Sequence, residues 1–119
     1  MDYVTLLQLA EIPGALELAQ VASDKYAAIV DATLMELAMM ATRNRIRLTT
    51  SLEAFLADIE ARFVVLPITS RVCVKAVGFG RHFSKDPADR VIAGTALAEG
   101  LTLITADREI IRSKALPTL

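Results

Sequence analysis

The chain has 119 residues, 54% of them hydrophobic, and a formal net charge of −1 at pH 7. This length and apolar content fit a single domain over residues 1–119 with a core of its own. The near-neutral charge excludes a general electrostatic attraction for nucleic acid, and a single cysteine excludes a disulfide framework and a thiolate metal site.

The sequence carries no membrane signal. No charge-free apolar run approaches the ~18 residues of a membrane span, and residues 1–11 lack a basic leader. We therefore expect a soluble, cytoplasmic domain without membrane contact. Cys73 lies in an apolar stretch and is predicted to be a buried small hydrophobe.

The first half of the chain predicts helices around one short strand. Residues 13–14 (Pro-Gly) predict a turn and residues 15–24 a helix, followed by a buried strand that ends near Asp31. Helices over residues 33–44 and 52–63 come next, and each begins with a capping-box pair. The pairs are Thr33 with Glu36 and Thr50 with Glu53.

The second half alternates strands and helices. Residues 63–68 and 101–105 predict strands, while residues 69–79, opened by Thr69, and 108–113 predict helices. A further helix has three boundary signals: Asp86 as the N-cap, Pro87 at the first helical position and Gly100 as the stop.

This alternation predicts an α/β domain with a mainly parallel sheet. Ligands of such sheets bind beyond the carboxyl ends of the strands, where helices begin. Four acids fall at these junctions: Asp31, Glu36, Asp89 and Asp107. A convergent group of carboxylates needs a cation to offset its repulsion, and oxygen ligands select Mg²⁺ or Mn²⁺, which suit phosphate chemistry. Taken singly, each acid is by default explained as a helix cap or a solvated surface group.

Two segments carry a resemblance to a known family. "DPADRVIAGTALAEGLTLITADREI" (86–110) resembles the carboxyl-terminal signature of PIN-domain ribonucleases, in particular VapC-type toxins, and "TLMELAMMATRNRIRL" (33–48) resembles their second signature. The resemblance implies a PIN-like three-layer α/β/α domain and a Mg²⁺- or Mn²⁺-dependent endoribonuclease that hydrolyses RNA. It also implies a cognate antitoxin that neutralises the enzyme, and a homodimer.

The resemblance also implies site residues. Glu36, Asp89 and Asp107 match the family's metal-binding, catalytic carboxylates, while Asp86 and Thr105 match groups that support them. The family's first acid ends a first strand, and Asp2 aligns best with it although only Met1 precedes it. That strand is therefore missing or substituted. The explanations are an upstream start, recruitment of residues 3–9 as a substitute strand, or a decayed copy.

Basic and apolar side chains suggest partners. Arg43, Arg45 and Arg90 are predicted to hold an RNA backbone, with stacking from Phe83 or His82. The alternative for Arg43 and Arg45 is a solvated helix end, where cations suit the helix dipole. The methionines of the helix over residues 33–44, Met35, Met39 and Met40, indicate either a buried helix or an adaptable docking surface.

Three functional hypotheses remain open from the residues. The first is the metal-dependent endoribonuclease toxin. The second is a catalytically impaired or truncated PIN-like domain that acts only as a binding or dimerisation module, which the missing first strand favours. The third is a receiver-like phospho-acceptor domain, which is weak because Arg108 stands where that fold needs a lysine.

Overall fold

The computed structural model describes residues 5–7, 27–105 and 107–118, with only the backbone of 5–7 and 27. The turn and helix predicted over residues 13–24 lie outside this part. The elements in chain order are β1 (Thr5–Leu7), β2 (Ala27–Val30), α1 (Asp31–Thr42), α2 (Leu52–Arg62), β3 (Val64–Leu66), α3 (Ser70–Gly78), α4 (Pro87–Glu99), β4 (Thr102–Ile104) and α5 (Arg108–Ser113).

The strands form one parallel sheet in the order β3-β2-β1-β4. β1 lies inside the sheet, where Leu6 is opposite both Ala28 of β2 and Leu103 of β4. The predicted parallel α/β architecture is therefore confirmed. Thr5–Leu7 supplies a central strand, which is the substitution proposed for residues 3–9, so no neighbouring strand loses its backbone partners here.

Each face of the sheet packs against its own layer of helices. Ala28 and Val30 of β2 point into a cluster with Ile92 of α4 and Ile110 of α5. Ile29, between them, points to the opposite face, into a cluster whose other members come from α1, α2 and their flanks: Leu37, Ile46, Ile59 and Phe63. Since successive strand residues face opposite sides, the arrangement is the predicted three-layer α/β/α domain.

The helix boundaries in the second half follow the sequence signals. Asp86 caps α4 by accepting a hydrogen bond from the Ala88 amide at 2.9 Å, and Pro87 is the first helical residue. Gly100 ends α4 with φ = 67°, a left-handed conformation that glycine adopts without a Cβ penalty. Thr69 caps α3 by accepting from the Val72 amide at 3.2 Å, as predicted.

Both predicted capping boxes are wrong. β2 runs directly into α1, which begins at Asp31 with Val30 as a cap that makes no side-chain bond. Thr33 therefore lies inside the helix, where it is fully buried, because the packing of α1 on the sheet decides the start of the helix. In α2 the cap is Ser51, whose hydroxyl accepts from the Ala54 amide at 3.1 Å, instead of Thr50.

The prediction for Cys73 is also wrong, because its side chain is exposed. α3 is an outer helix that buries Val72 and Ala76 against α4 and leaves Val74 and Val77 in solvent. Within the described residues, no helix is both long and apolar enough to cross a membrane.

Gly94 allows α3 and α4 to pack closely. A Cβ atom at this position would lie 2.9 Å from both the Ala76 nitrogen and the Val72 oxygen of α3. These are backbone atoms, so the contact cannot be relieved by rotating a side chain. The small residues of α4 are thus a packing requirement, which keeps the N-terminal turn of this helix close to the sheet.

Gly94→Ala is expected to lower the free energy of unfolding by about 1–3 kcal/mol, since overpacking outweighs the gain of about 1 kcal/mol in helix propensity. Urea unfolding followed by circular dichroism measures the change. Gly78→Ala is the matched control, because a Cβ there meets no atom within 4 Å. Equal or greater stability of Gly94→Ala would contradict this account of the α3–α4 contact.

Candidate active site

The predicted acids lie on elements that meet at the carboxyl edge of the sheet. Asp31 follows β2 directly, and Thr105 and Asp107 follow β4. α4 ends at Glu99, three residues before β4 starts, so its C-terminus lies at the amino edge of the sheet. Its N-terminus, with Asp89, lies ~20 Å away at the other end of the helix, toward the carboxyl edge.

Asp89 is a buried carboxylate in the first turn of α4, with a relative exposure of 9%. The Ser84 hydroxyl donates a hydrogen bond to Asp89 Oδ2 at 2.7 Å. The same hydroxyl accepts a bond from the Asp86 amide at 3.2 Å. Burying a carboxylate is costly unless its charge is compensated. Asp89 therefore cannot be explained as a solvated surface group.

Asp107 caps α5, as the alternative explanation of this acid as a helix cap predicts. Its Oδ1 accepts from the amides of Glu109 at 2.9 Å and Ile110 at 3.3 Å. Both bonds go to the same oxygen, so Oδ2 takes no part in the cap. The Thr105 hydroxyl accepts from the Asp107 amide at 3.0 Å and fixes the backbone there. Capping thus uses half of the Asp107 carboxylate.

Glu36 faces a groove that it shares with the start of α4. This groove has a volume of about 410 Å³ and is lined by two carboxylates, two guanidinium groups and three apolar side chains. Its lining residues are Glu36, Met39, Met40, Arg43, Arg45, Asp86 and Ala88. The groove is therefore acidic at the sheet edge and basic at the end of α1.

The local backbone displays the two arginines of this groove. Arg43 is the C-cap of α1, and Asn44 takes a left-handed conformation with φ = 57°. Ile46 is buried in the core and anchors the segment, while Arg43 and Arg45 stay exposed. This placement agrees with the helix-end interpretation, and it also directs both charges toward the groove.

Arg90 has a different role from the predicted contact with RNA. Its guanidinium donates to the Ser84 carbonyl at 2.8 Å, and to the carbonyls of Ala76, Phe79 and Gly80 at 3.1, 2.9 and 3.1 Å. Four acceptors use most of the donors of one guanidinium. Arg90 therefore holds the loop over residues 79–86, which corrects the expectation that it binds a phosphate.

The predicted stacking by Phe83 is wrong as well. Phe83 is buried against Phe79, with ring centroids 4.4 Å apart and planes at 17°. The Arg90 guanidinium carbon lies 5.8 Å from the Phe83 ring. His82 is exposed, as its loop position suggests.

The methionines of α1 are not uniformly buried. Met35 is 64% exposed and Met39 is 43% exposed, while Met40 is half-buried. The interpretation of α1 as a deeply buried helix is therefore wrong for Met35 and Met39, which favours the alternative of a docking surface.

The acids do not form a complete ion cage in the part of the chain that is described. Within residues 5–7, 27–105 and 107–118, no three His, Cys, Asp or Glu side chains are grouped so that they could hold a metal ion. Asp2 lies outside the described residues. In the sequence it precedes β1, whereas the family pattern places its acid after the strand, where this chain has Gln8.

Sequence reasoning missed Ser84. A serine two residues before an N-cap aspartate is a usable signal, because short side chains hydrogen-bond the backbone two positions on. It also missed the buried carboxylate oxygen of Asp31, whose other oxygen accepts from the Ile68 amide at 3.4 Å.

Comparison with known proteins identifies the family. The PIN domain profile matches residues 8–116. The chain belongs to the PIN domain family. This PIN domain is 34% identical to Ribonuclease VapC22 of Mycobacterium tuberculosis over 83 residues, which are 70% of the chain and 64% of that protein. The chain therefore spans less than two thirds of the length of this curated relative.

Solved structures share the fold at low sequence identity. A toxin–antitoxin complex from Klebsiella pneumoniae has a TM-score of 0.72 at 17% identity, with 97% of this chain and 95% of that chain covered. VapBC2 from Rickettsia felis, bound to a DNA fragment from its promoter, has a TM-score of 0.68 at 16% identity, covering 98% and 97%. These neighbours confirm the PIN-like fold predicted from the sequence.

Proposed function

We propose that this PIN domain is a metal-dependent endoribonuclease toxin that hydrolyses RNA phosphodiester bonds in the cytoplasm and is neutralised by a cognate antitoxin. The observation that carries the proposal is the buried Asp89 at the carboxyl edge of a PIN domain, beside a groove with acidic and basic walls. The ribonuclease name of the relative and the toxin–antitoxin complexes among the fold neighbours support it.

The donors at this edge suit a hard divalent cation. Glu36, Asp89 and Asp107 offer carboxylate oxygens, as Mg²⁺ and Mn²⁺ prefer, and Mg²⁺ needs only one or two carboxylates because it keeps several waters. We assign Asp89 and Glu36 as the ligands, with waters completing the coordination shell. Asp107 is a third candidate ligand by the family pattern of the sequence alone. Asp2 aligns with the family's first acid in the sequence, but it precedes β1 and lies outside the described residues. Asp86 and Thr105 support the site by fixing the α4 cap and the Asp107 backbone.

When bound, the ion supplies Lewis-acid activation of a water and offsets charge on the scissile phosphate. The protein's own part is to orient the RNA. Arg43 and Arg45 line the same groove as Glu36 and Asp86, and they bind the phosphate backbone. Met39 and Met40, which also line the groove, contact a base or ribose without selecting its identity.

The exposed apolar side chains suit protein partners. Met35 and Met39 on α1, and Val74 and Val77 on α3, are more than 40% exposed. Large apolar side chains grouped on a helix face mark sites of protein association. We propose that such surfaces serve the antitoxin and a homodimer, as the fold neighbours in toxin–antitoxin complexes suggest.

The proposal predicts cleavage of a labelled single-stranded RNA by the purified full chain with Mn²⁺ or Mg²⁺. Cleavage should stop on addition of a chelator and return with excess Mn²⁺, because the proposed mechanism activates the attacking water through the bound ion. Gel electrophoresis of the products is the measurement. Single-stranded DNA of the same sequence is the control substrate. Cleavage that persists in the chelator would contradict the metal-dependent mechanism.

A binding module without catalysis is the second candidate. It is favoured by the absence of a three-residue ligand group from the described residues, and by Gln8 as the residue that follows β1 in the sequence. Calorimetric titration with Mn²⁺ separates the two candidates, because a pure binding module gives no specific heat of metal binding.

A further inference from the structure

We propose that Ser84 is a positioning residue that sets the orientation of the Asp89 carboxylate for metal binding. This inference rests on the proposed function, because it assigns Asp89 to the metal site. It extends that function to a residue outside the carboxylate set, on the loop that precedes α4.

The direction of the Ser84 hydrogen bonds is fixed by their partners. The Asp86 amide can only donate, so at 3.2 Å it uses the Ser84 oxygen as an acceptor. The single hydroxyl hydrogen of Ser84 is then left for Asp89 Oδ2, which is 2.7 Å away and can only accept when ionised. The hydroxyl therefore holds one chosen oxygen of the buried carboxylate.

The loop that carries Ser84 is tied on both sides. Arg90 donates to the Ser84 carbonyl at 2.8 Å and binds three further carbonyls of residues 76–80. Phe83, directly before Ser84, is buried and stacks on Phe79. Because the neighbouring residues are held by these contacts, the Ser84 backbone has little conformational freedom. The Ser84 hydroxyl therefore keeps a fixed position beside Asp89, as residues that support a functional site do.

A supporting hydrogen bond of this kind has a measurable effect on the affinity of the protein for the ion. Partners that orient a ligating carboxylate change metal affinity or activity by about 10–100-fold when they are removed. A serine that merely tied the loop would change the stability of the protein and leave the affinity for the ion as it was.

The test compares Ser84→Ala with Ser84→Thr, which keeps a hydroxyl, and with Ser70→Ala, an exposed serine on α3. Calorimetry without RNA measures the Mn²⁺ dissociation constant, and RNA cleavage measures the half-saturating Mn²⁺ concentration and the maximal rate. We expect Ser84→Ala to raise the dissociation constant and the half-saturating concentration about tenfold. Ser84→Thr should recover most of that loss, and Ser70→Ala should match the wild type.

Two results distinguish the failure of this inference from the failure of the proposed function. A wild-type protein that binds Mn²⁺ and cleaves RNA, with unchanged Mn²⁺ affinity in Ser84→Ala, overturns the role of Ser84 alone. A wild-type protein that neither binds Mn²⁺ nor cleaves RNA overturns both. A loss in Ser84→Ala that Ser84→Thr does not restore also overturns the role of the hydroxyl.

Discussion

Asp89→Asn is expected to reduce Mn²⁺-dependent RNA cleavage at least about a hundredfold, because loss of a ligating charge should exceed the effect of losing a supporting hydrogen bond. The asparagine has the same shape, and its amide oxygen still accepts the Ser84 hydroxyl, so the fold should persist. The measurement is the initial rate of RNA cleavage at saturating Mn²⁺, together with a thermal unfolding curve that shows the variant is folded.

Asp58→Asn is the matched control for Asp89→Asn. Asp58 is an exposed acid on α2 that pairs with Arg62 at 3.0 Å, so its loss removes the same charge far from α4 in the sequence. Its cleavage rate should stay within about twofold of the wild type, since isolated surface pairs contribute little. Cleavage by Asp89→Asn at the wild-type rate would remove Asp89 from the mechanism.

Replacement of Arg90 should have the largest effect on stability. Arg90→Lys is expected to lower the free energy of unfolding by about 3 kcal/mol, because a lysine ammonium cannot reach four carbonyls in the geometry of the guanidinium fork. The carbonyls belong to the α3 end and the following loop, so the loss spreads over residues 76–84. Urea unfolding at constant pH measures the change.

Arg81→Ala provides the control within the same loop. Arg81 is exposed, and surface substitutions of this kind change the free energy of unfolding by about 0.5 kcal/mol or less. An Arg90→Lys protein as stable as Arg81→Ala would show that the carbonyl contacts do not hold the loop. The two experiments together predict separable roles for adjacent residues: metal binding for Asp89 and loop stability for Arg90.

Local signals were sufficient where a boundary depends on neighbouring residues. Asp86, Pro87 and Gly100 bound α4 as predicted, since capping, the fixed φ of proline and the left-handed φ of glycine act within one turn. The capping box at Thr33 failed because Thr33 is buried in the core, and packing outweighs a cap of about 1 kcal/mol. The prediction of a buried Cys73 failed for a related reason, because an apolar stretch of sequence does not indicate which face of its helix is buried.

The site was only partly predictable. The candidate acids could be named from their positions after strands and at helix starts. Whether they serve as caps depended on hydrogen-bond geometry: Asp86 and Asp107 cap helices, while Asp89 is buried and held by Ser84. The misassignment of Arg90 and Phe83 has the same origin, since the loop between α3 and α4 folds back on itself through contacts that no local pattern encodes.

By itself, the sequence determined the α/β alternation, the ends of α4 and the family signature, because periodicity, capping and motif spacing are local properties of the chain. The tertiary structure alone decided that Thr5–Leu7 becomes the central strand, that α1 starts at Asp31, and that Arg90 holds a loop. These outcomes depend on partners distant in the sequence. A backbone group or a guanidinium hydrogen-bonds to the acceptors that the packed neighbours place within reach. Local conformational preferences of a few tenths to about one kcal/mol are too weak to change these partners.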